Sequence, residues 1–119
     1  MDDRIEPPWD DLDPGIAALV RYLWDSGYDT RDSGDGRSKA AKGWDPETYS
    51  EVPHVGITVA RDAVGRTLGG LLDLVSEEGW SEVEVSAHAI IWPDGRREFI
   101  VMLAGDELYG WTPSEAPRG

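Results

Sequence analysis

Apolar residues follow two different periods along the chain, and the switches between them mark its elements. Ile16, Leu19, Val20 and Leu23 recur at i, i+3, i+4 and i+7, with Trp24 beside them, which predicts a helix with one buried stripe. Asp13 as N-cap and Pro14 at the first helical position start it, and Gly27 stops it. Tyr28–Asp32 reads as a short strand. Val55, Ile57 and Val59 then alternate through a second strand, His54–Ala60. The helical period returns over Arg61–Glu78, with Val64, Leu68, Leu71, Leu72 and Val75 as the buried face and Gly79 as the end. Gly65, Gly69 and Gly70 inside that helix each cost about 1 kcal/mol against alanine, which predicts close approach to a neighbouring element. Alternation is strongest at the end of the pattern. Val83, Val85, Ala87, Ala89 and Ile91 share one face, Pro93-Asp94-Gly95 turns the chain, and Phe99, Val101 and Leu103 return along Arg97–Ala104. This is a β-hairpin. Ile90, Trp92, Ile100 and Met102 on its other face predict that this face is partly covered too.

The resulting order is α-β-β-α-β-β. Its expected architecture is α+β, a two-layer α/β sandwich with two helices on one face of a four-stranded, mostly antiparallel sheet. Residues 1–13 form an irregular acidic lead-in and 14–104 a single domain. Residues 105–119 are an irregular tail anchored by Tyr109 and Trp111. Within the domain, 33–53 is a long polar connection, and connections of that length tend to be functional or mobile.

Composition narrows the function. The 119 residues carry a formal net charge of −13, no cysteine and six tryptophans. A thiolate zinc site or a disulfide framework is excluded, and no apolar run reaches the roughly 20 residues of a membrane span. The N-terminus is the reverse of a signal peptide, so the expected location is the cytoplasm. Direct nucleic-acid binding needs a basic surface that this chain lacks. The acidity fits solubility, or a partner protein with a basic surface. The exception is Arg31–Lys42, a stretch of +2 that contains Arg31, Arg37, Lys39 and Lys42.

That basic island lies in a glycine-rich loop, where exposed backbone N–H groups beside cations suit a small anion such as a nucleotide phosphate. Arg31, Ser33, Gly34, Gly36, Arg37 and Lys39 are the candidate ligand-binding residues, set against a solvated loop as the plainer reading. Neither the P-loop spacing nor the EF-hand register is present, and no cofactor or metal is expected. Asp29, Asp32 and Asp35 are spaced to hold a hard cation, with the nearby bases competing. His54 and His88 are the only histidines. Either becomes a general base with Asp32 or Asp35 if the first strand pairs with its own strand. No G-x-S-x-G elbow exists among the serines, and no catalytic residue is assigned.

Trp9, Trp44 and Trp111 fall in irregular segments, where tryptophan acts either as a core cap or as an interface anchor. With Glu77, Glu78, Glu82 and Glu84 they are the candidate partner-binding residues. Arginine outnumbers lysine nine to two. With the acidity, the tryptophans and the block GYDTRDSGDG after an amphipathic helix, the chain resembles small proteins encoded by bacteriophages of actinobacteria. That resemblance implies a protein of the bacterial cytoplasm that binds a host component. The expected function is therefore a non-catalytic acidic protein, a phage factor that binds or inhibits a host protein. The alternatives are a module that sequesters a nucleotide or other anion through 29–42, and a small hydrolase with a His/Asp site. Monomer and homodimer are both open.

Overall fold

The structure, a computed structural model, describes residues 4–48 and 50–113. The first residues of the lead-in and the tail beyond 113 lie outside the described residues.

The helix α1 spans Pro14–Asp25 and buries Ile16, Leu19, Val20 and Leu23, the stripe set by its period. Strand β1, Asp29–Gly34, runs two residues beyond the expected Asp32. Its six residues DTRDSG include no large apolar side chain, so pairing with the next strand decides its extent. The connection that follows is not featureless: it holds a one-turn helix α2, Ser38–Ala41, and a 3-10 turn at Pro46–Thr48. Then come β2 (His54–Val59), α3 (Val64–Glu78, after a 3-10 turn at Arg61–Ala63), β3 (Glu84–Ile91) and β4 (Arg97–Ala104).

The four strands form one sheet in the order β1-β2-β4-β3, antiparallel at every pairing. The expected α+β architecture is therefore observed. Helix α1 packs on β1 and β2, and α3 on β3 and β4, around one core that contains Val55, Ile57, Val101, Leu103 and Leu108. Both long helices lie on this face. Ile90, Ile100 and Met102 on the opposite face stay half-buried with neither long helix over them.

Helix α3 departs from the expected face. Thr67, Leu71 and Leu74 point into the core, whereas Leu72 is 55% exposed. Each residue turns a helix by about 100°, so Leu72 cannot share the Leu71 face when Leu74 takes the next position on it. The glycine expectation holds at one position. A Cβ on Gly70 would strike the Tyr28 hydroxyl, but Gly65 and Gly69 have open space around them. Nothing in the structure explains those two. No helix among the described residues is long and apolar enough to cross a membrane.

The irregular ends are docked onto the body. Arg4 donates to the carbonyls of Trp24 (2.5 Å) and Tyr28 (3.0 Å) at the C-terminal end of α1, where a cation is favoured. Trp9 packs edge-on against Trp24, with ring centroids 6.0 Å apart, and Trp111 packs against both Tyr22 and Trp80. Gly110 N–H donates to the Gly15 carbonyl at 2.8 Å, which holds the Tyr109 segment against the start of α1.

Candidate functional site

A cleft of about 560 Å³ opens where the start of α1, the ends of β1 and β2 and the 35–53 connection meet. Asp13, Asp32, Ser33, Gly34, Lys39, Trp44, Glu47, Ser50 and His54 line it. Along the sequence its two halves lie apart, in the 29–42 segment and at the entry to β2. They are brought together by a defect in the sheet.

That defect is a bulge at Arg31. Thr30 pairs with Ile57 on the helix-covered face, but the next pair is Asp32 with Gly56, so Arg31 is the extra residue. Without it Asp32, two residues after Thr30, would point into the core. With it Asp32 emerges on the open face beside His54. The remaining two corners of this four-residue patch are glycines, since Asp32 lies opposite Gly56 and His54 opposite Gly34. A Cβ on Gly34 would come within 2.9 Å of His54 Cε1. The vacated corners let the diagonal pair approach, and His54 Nε2 lies 3.7 Å from Asp32 Oδ2. That is an ion-pair distance, longer than a hydrogen bond.

The other ring nitrogen fixes the tautomer. His54 Nδ1 is 3.0 Å from the Val52 carbonyl, and only a protonated Nδ1 can donate there. In the neutral ring Nε2 therefore carries the lone pair, at the cleft. Asp32 raises the His54 pKa above the ordinary imidazole value, against the burial that lowers it. In return His54 holds Asp32 below the usual carboxylate range, against the burial that raises it.

Two buried carboxylates tie the loop down. Asp13 stands at the N-cap position of α1, yet its side chain makes no cap hydrogen bond there, contrary to expectation. Asp35 caps the helix instead, from 20 residues away: Gly15 N–H donates to Asp35 Oδ2 at 3.0 Å. Asp13 Oδ2 in turn accepts from the Asp35 N–H at 3.2 Å, and Asp13 Oδ1 pairs with Lys39 Nζ at 2.6 Å. Asp35 also accepts from the backbone of Arg37 (2.9 Å) and Ser38 (2.7 Å) and from the Ser38 hydroxyl. Burial alone would raise the Asp35 pKa. The Ser38 hydroxyl and the three backbone N–H groups prevail and push it down to about 2. Glycines again make the room. A Cβ on Gly15 would sit 2.8 Å from Asp35 Oδ2, and Gly36 has φ +79° with its missing Cβ aimed at the Glu51 carbonyl.

The expected anion cradle is not assembled. Of its six residues, Ser33, Gly34 and Lys39 line the cleft. Arg31 is held by Asp29 through bonds of 2.8 and 3.0 Å, and Arg37 lies over the Tyr109 ring at 3.8 Å. Gly36 turns the loop toward Glu51. Lys39 is paired with Asp13, with its Nζ 5.1 Å from the Trp44 ring centroid. Asp13, Asp32 and Glu47 therefore outweigh the one cation, and the cleft is acidic. Asp29, Asp32 and Asp35 have separate partners, and no cluster able to hold a metal ion occurs among the described residues. His88 is on the edge strand β3, with Nε2 2.9 Å from Ser86 Oγ, and β4 separates it from β2.

The candidate partner residues are dispersed as well. Trp9 donates to Glu6 and Trp111 to Glu78, both against the body. Trp44 alone of the three stands out, 50% exposed at the cleft wall. Glu77, Glu82 and Glu84 are exposed near the α3–β3 junction, and Glu78 is half-buried. Comparison with family models, with curated proteins and with solved structures gave no match.

Proposed function

We propose that the protein is a small-molecule-binding module, with its 35–53 connection strapped over a cleft that takes a polar, donor-rich or cationic ligand. One observation carries this reading. The cleft joins an exposed indole face (Trp44) to the carboxylates of Asp32 and Glu47 and the His54 ring, while Lys39 is already neutralised by Asp13. A flat or apolar body against Trp44 with an ammonium or amide N–H directed at Asp32 fits that arrangement. An anion does not, because the cleft's fixed charge repels it.

A matched pair of probes tests the sign. Benzylamine should raise the thermal midpoint in a dose-dependent way and benzoate should not. Both Trp44→Ala and Asp32→Asn should remove the benzylamine effect. Stabilisation by benzoate alone would contradict the reading.

A second reading is a protein partner with a basic surface, in the form of a phage-encoded factor acting on a host protein. The exposed acids Glu77, Glu82 and Glu84 favour it. It requires capture of a partner from bacterial lysate that weakens as salt rises, and salt-independent capture would count against it.

A further inference from the structure

We infer that His54 is the cleft's own removable counter-ion: its imidazolium lies against Asp32 until a ligand ammonium takes that carboxylate, and the Nε2 proton then leaves for solvent. This rests on the reading of the cleft as a cation site and adds its regulation, an exchange of proton for ligand. The observation behind it is that both ring nitrogens face acceptors. Nδ1 lies 3.0 Å from the Val52 carbonyl, and Nε2 lies 3.7 Å from Asp32 Oδ2. A ring with an N–H at each nitrogen matches both neighbours, whereas the neutral ring sets its Nε2 lone pair beside a carboxylate. The imidazole pKa, raised chiefly by Asp32, is in keeping with that geometry.

The pair is built unequally, which makes the proton and not the ring the part that yields. The His54 side chain is 14% exposed, and that of Asp32 is 68% exposed. Two contacts hold the ring: the Val52 carbonyl takes Nδ1, and Cε1 lies over Gly34, where a Cβ would come within 2.9 Å of it. Asp32 can therefore be reached from the cleft while the imidazole stays in place. A cation drawn to that carboxylate meets the imidazolium at close range, and a like charge disfavours the charged ring. The other neighbours do not take over this role. Lys39 from α2 is spent on Asp13 at 2.6 Å, and Asp13 at the start of α1 and Glu47 in the 3-10 turn are carboxylates. On the remaining side β4 sets uncharged Ala104 opposite His54. By reciprocity, the factor by which the proton weakens the ligand is the factor by which the ligand weakens the proton. A cationic ligand should thus bind more tightly as pH rises through the His54 midpoint. The ligand class narrows to bases stronger than imidazole, which keep their charge while the ring loses its own.

Two titrations on the full chain test this, with benzylamine as an ammonium that keeps its proton through the range. Its affinity, read by NMR at the Trp44 indole N–H at successive pH values, should tighten by roughly three- to tenfold across the His54 midpoint. The His54 midpoint, read at its ring protons, should fall at saturating benzylamine by the same factor, about half to one pH unit. That of His88, on the far side of β4, should stay where it is. His54→Gln, whatever its affinity, should lose the pH dependence. Binding that is flat in pH, a His54 midpoint that holds or rises with benzylamine, or an undiminished pH dependence in His54→Gln would each overturn the exchange and leave the cation reading standing. Shifts at neither residue at any pH would overturn both. The wild-type midpoint decides the matter even if the glutamine variant fails to fold.

Discussion

Asp35 shows how much one side chain sets in this molecule. Its carboxylate is fully buried without a cation, and four donors from α1 and the loop converge on it. Because its folded pKa lies near 2, below the ordinary value of 3.8, its contribution is present above the ordinary carboxylate range. That contribution is lost as pH falls toward 2, and amounts to roughly 2 kcal/mol. Asp35→Asn puts an amide N–H₂ among N–H donors and should cost about 2–4 kcal/mol in urea unfolding at neutral pH. It should also flatten the acid limb of the stability curve; an equally steep limb in the variant would assign that limb to other carboxylates. The His54–Asp32 pair has the opposite dependence on the histidine side. The raised imidazole pKa means that the pairing stabilises below the ordinary imidazole value and fades as pH rises through the raised one. Asp32→Asn should lower the His54 titration midpoint read from its ring protons by NMR, and an unmoved midpoint would mean that the two do not interact in solution.

Among the elements, strong periods were legible in the sequence and long-range pairings were not. Helix α1 and the β3–β4 hairpin follow from their spacing and terminators, and both are observed close to their expected bounds. Strand β1 is different, since the sequence reads as a strand only to Asp32, and its last two residues and the bulge that exposes Asp32 exist only in the pairing with β2. The meeting of Asp32 with His54 was foreseeable as a condition on strand pairing. The Asp13–Lys39 and Asp35–Gly15 ties were not, because they join residues 26 and 20 apart along a path that local pattern does not specify. The glycines divide by the same logic. Gly36 needs its positive φ and the space beside Glu51, so Gly36→Ala should destabilise by roughly 1–3 kcal/mol. Gly69 is exposed in the middle of α3 with nothing near it, so Gly69→Ala should stabilise by about 0.5–1 kcal/mol. Thermal or urea unfolding of the two variants should move in opposite directions, and a destabilised Gly69→Ala would show that α3 has a neighbour at that surface.

For the whole molecule, the acidity has acquired a distribution. Within the +2 stretch around Arg31–Lys42, Asp29 and Asp13 pair with Arg31 and Lys39, and Arg37 lies over the Tyr109 ring. The cleft beneath that stretch is acidic like the rest of the chain. We propose that this cleft binds a cationic or donor-rich ligand between Trp44 and the Asp32–His54 pair. Titration with benzylamine and with benzoate, followed in two-dimensional NMR at the Trp44 indole N–H and the His54 ring, tests it most directly. Saturable shifts are expected at both residues with benzylamine, none with benzoate, and little change at Trp9 or Trp111. Shifts confined to other tryptophans, or a stronger response to benzoate, would contradict it.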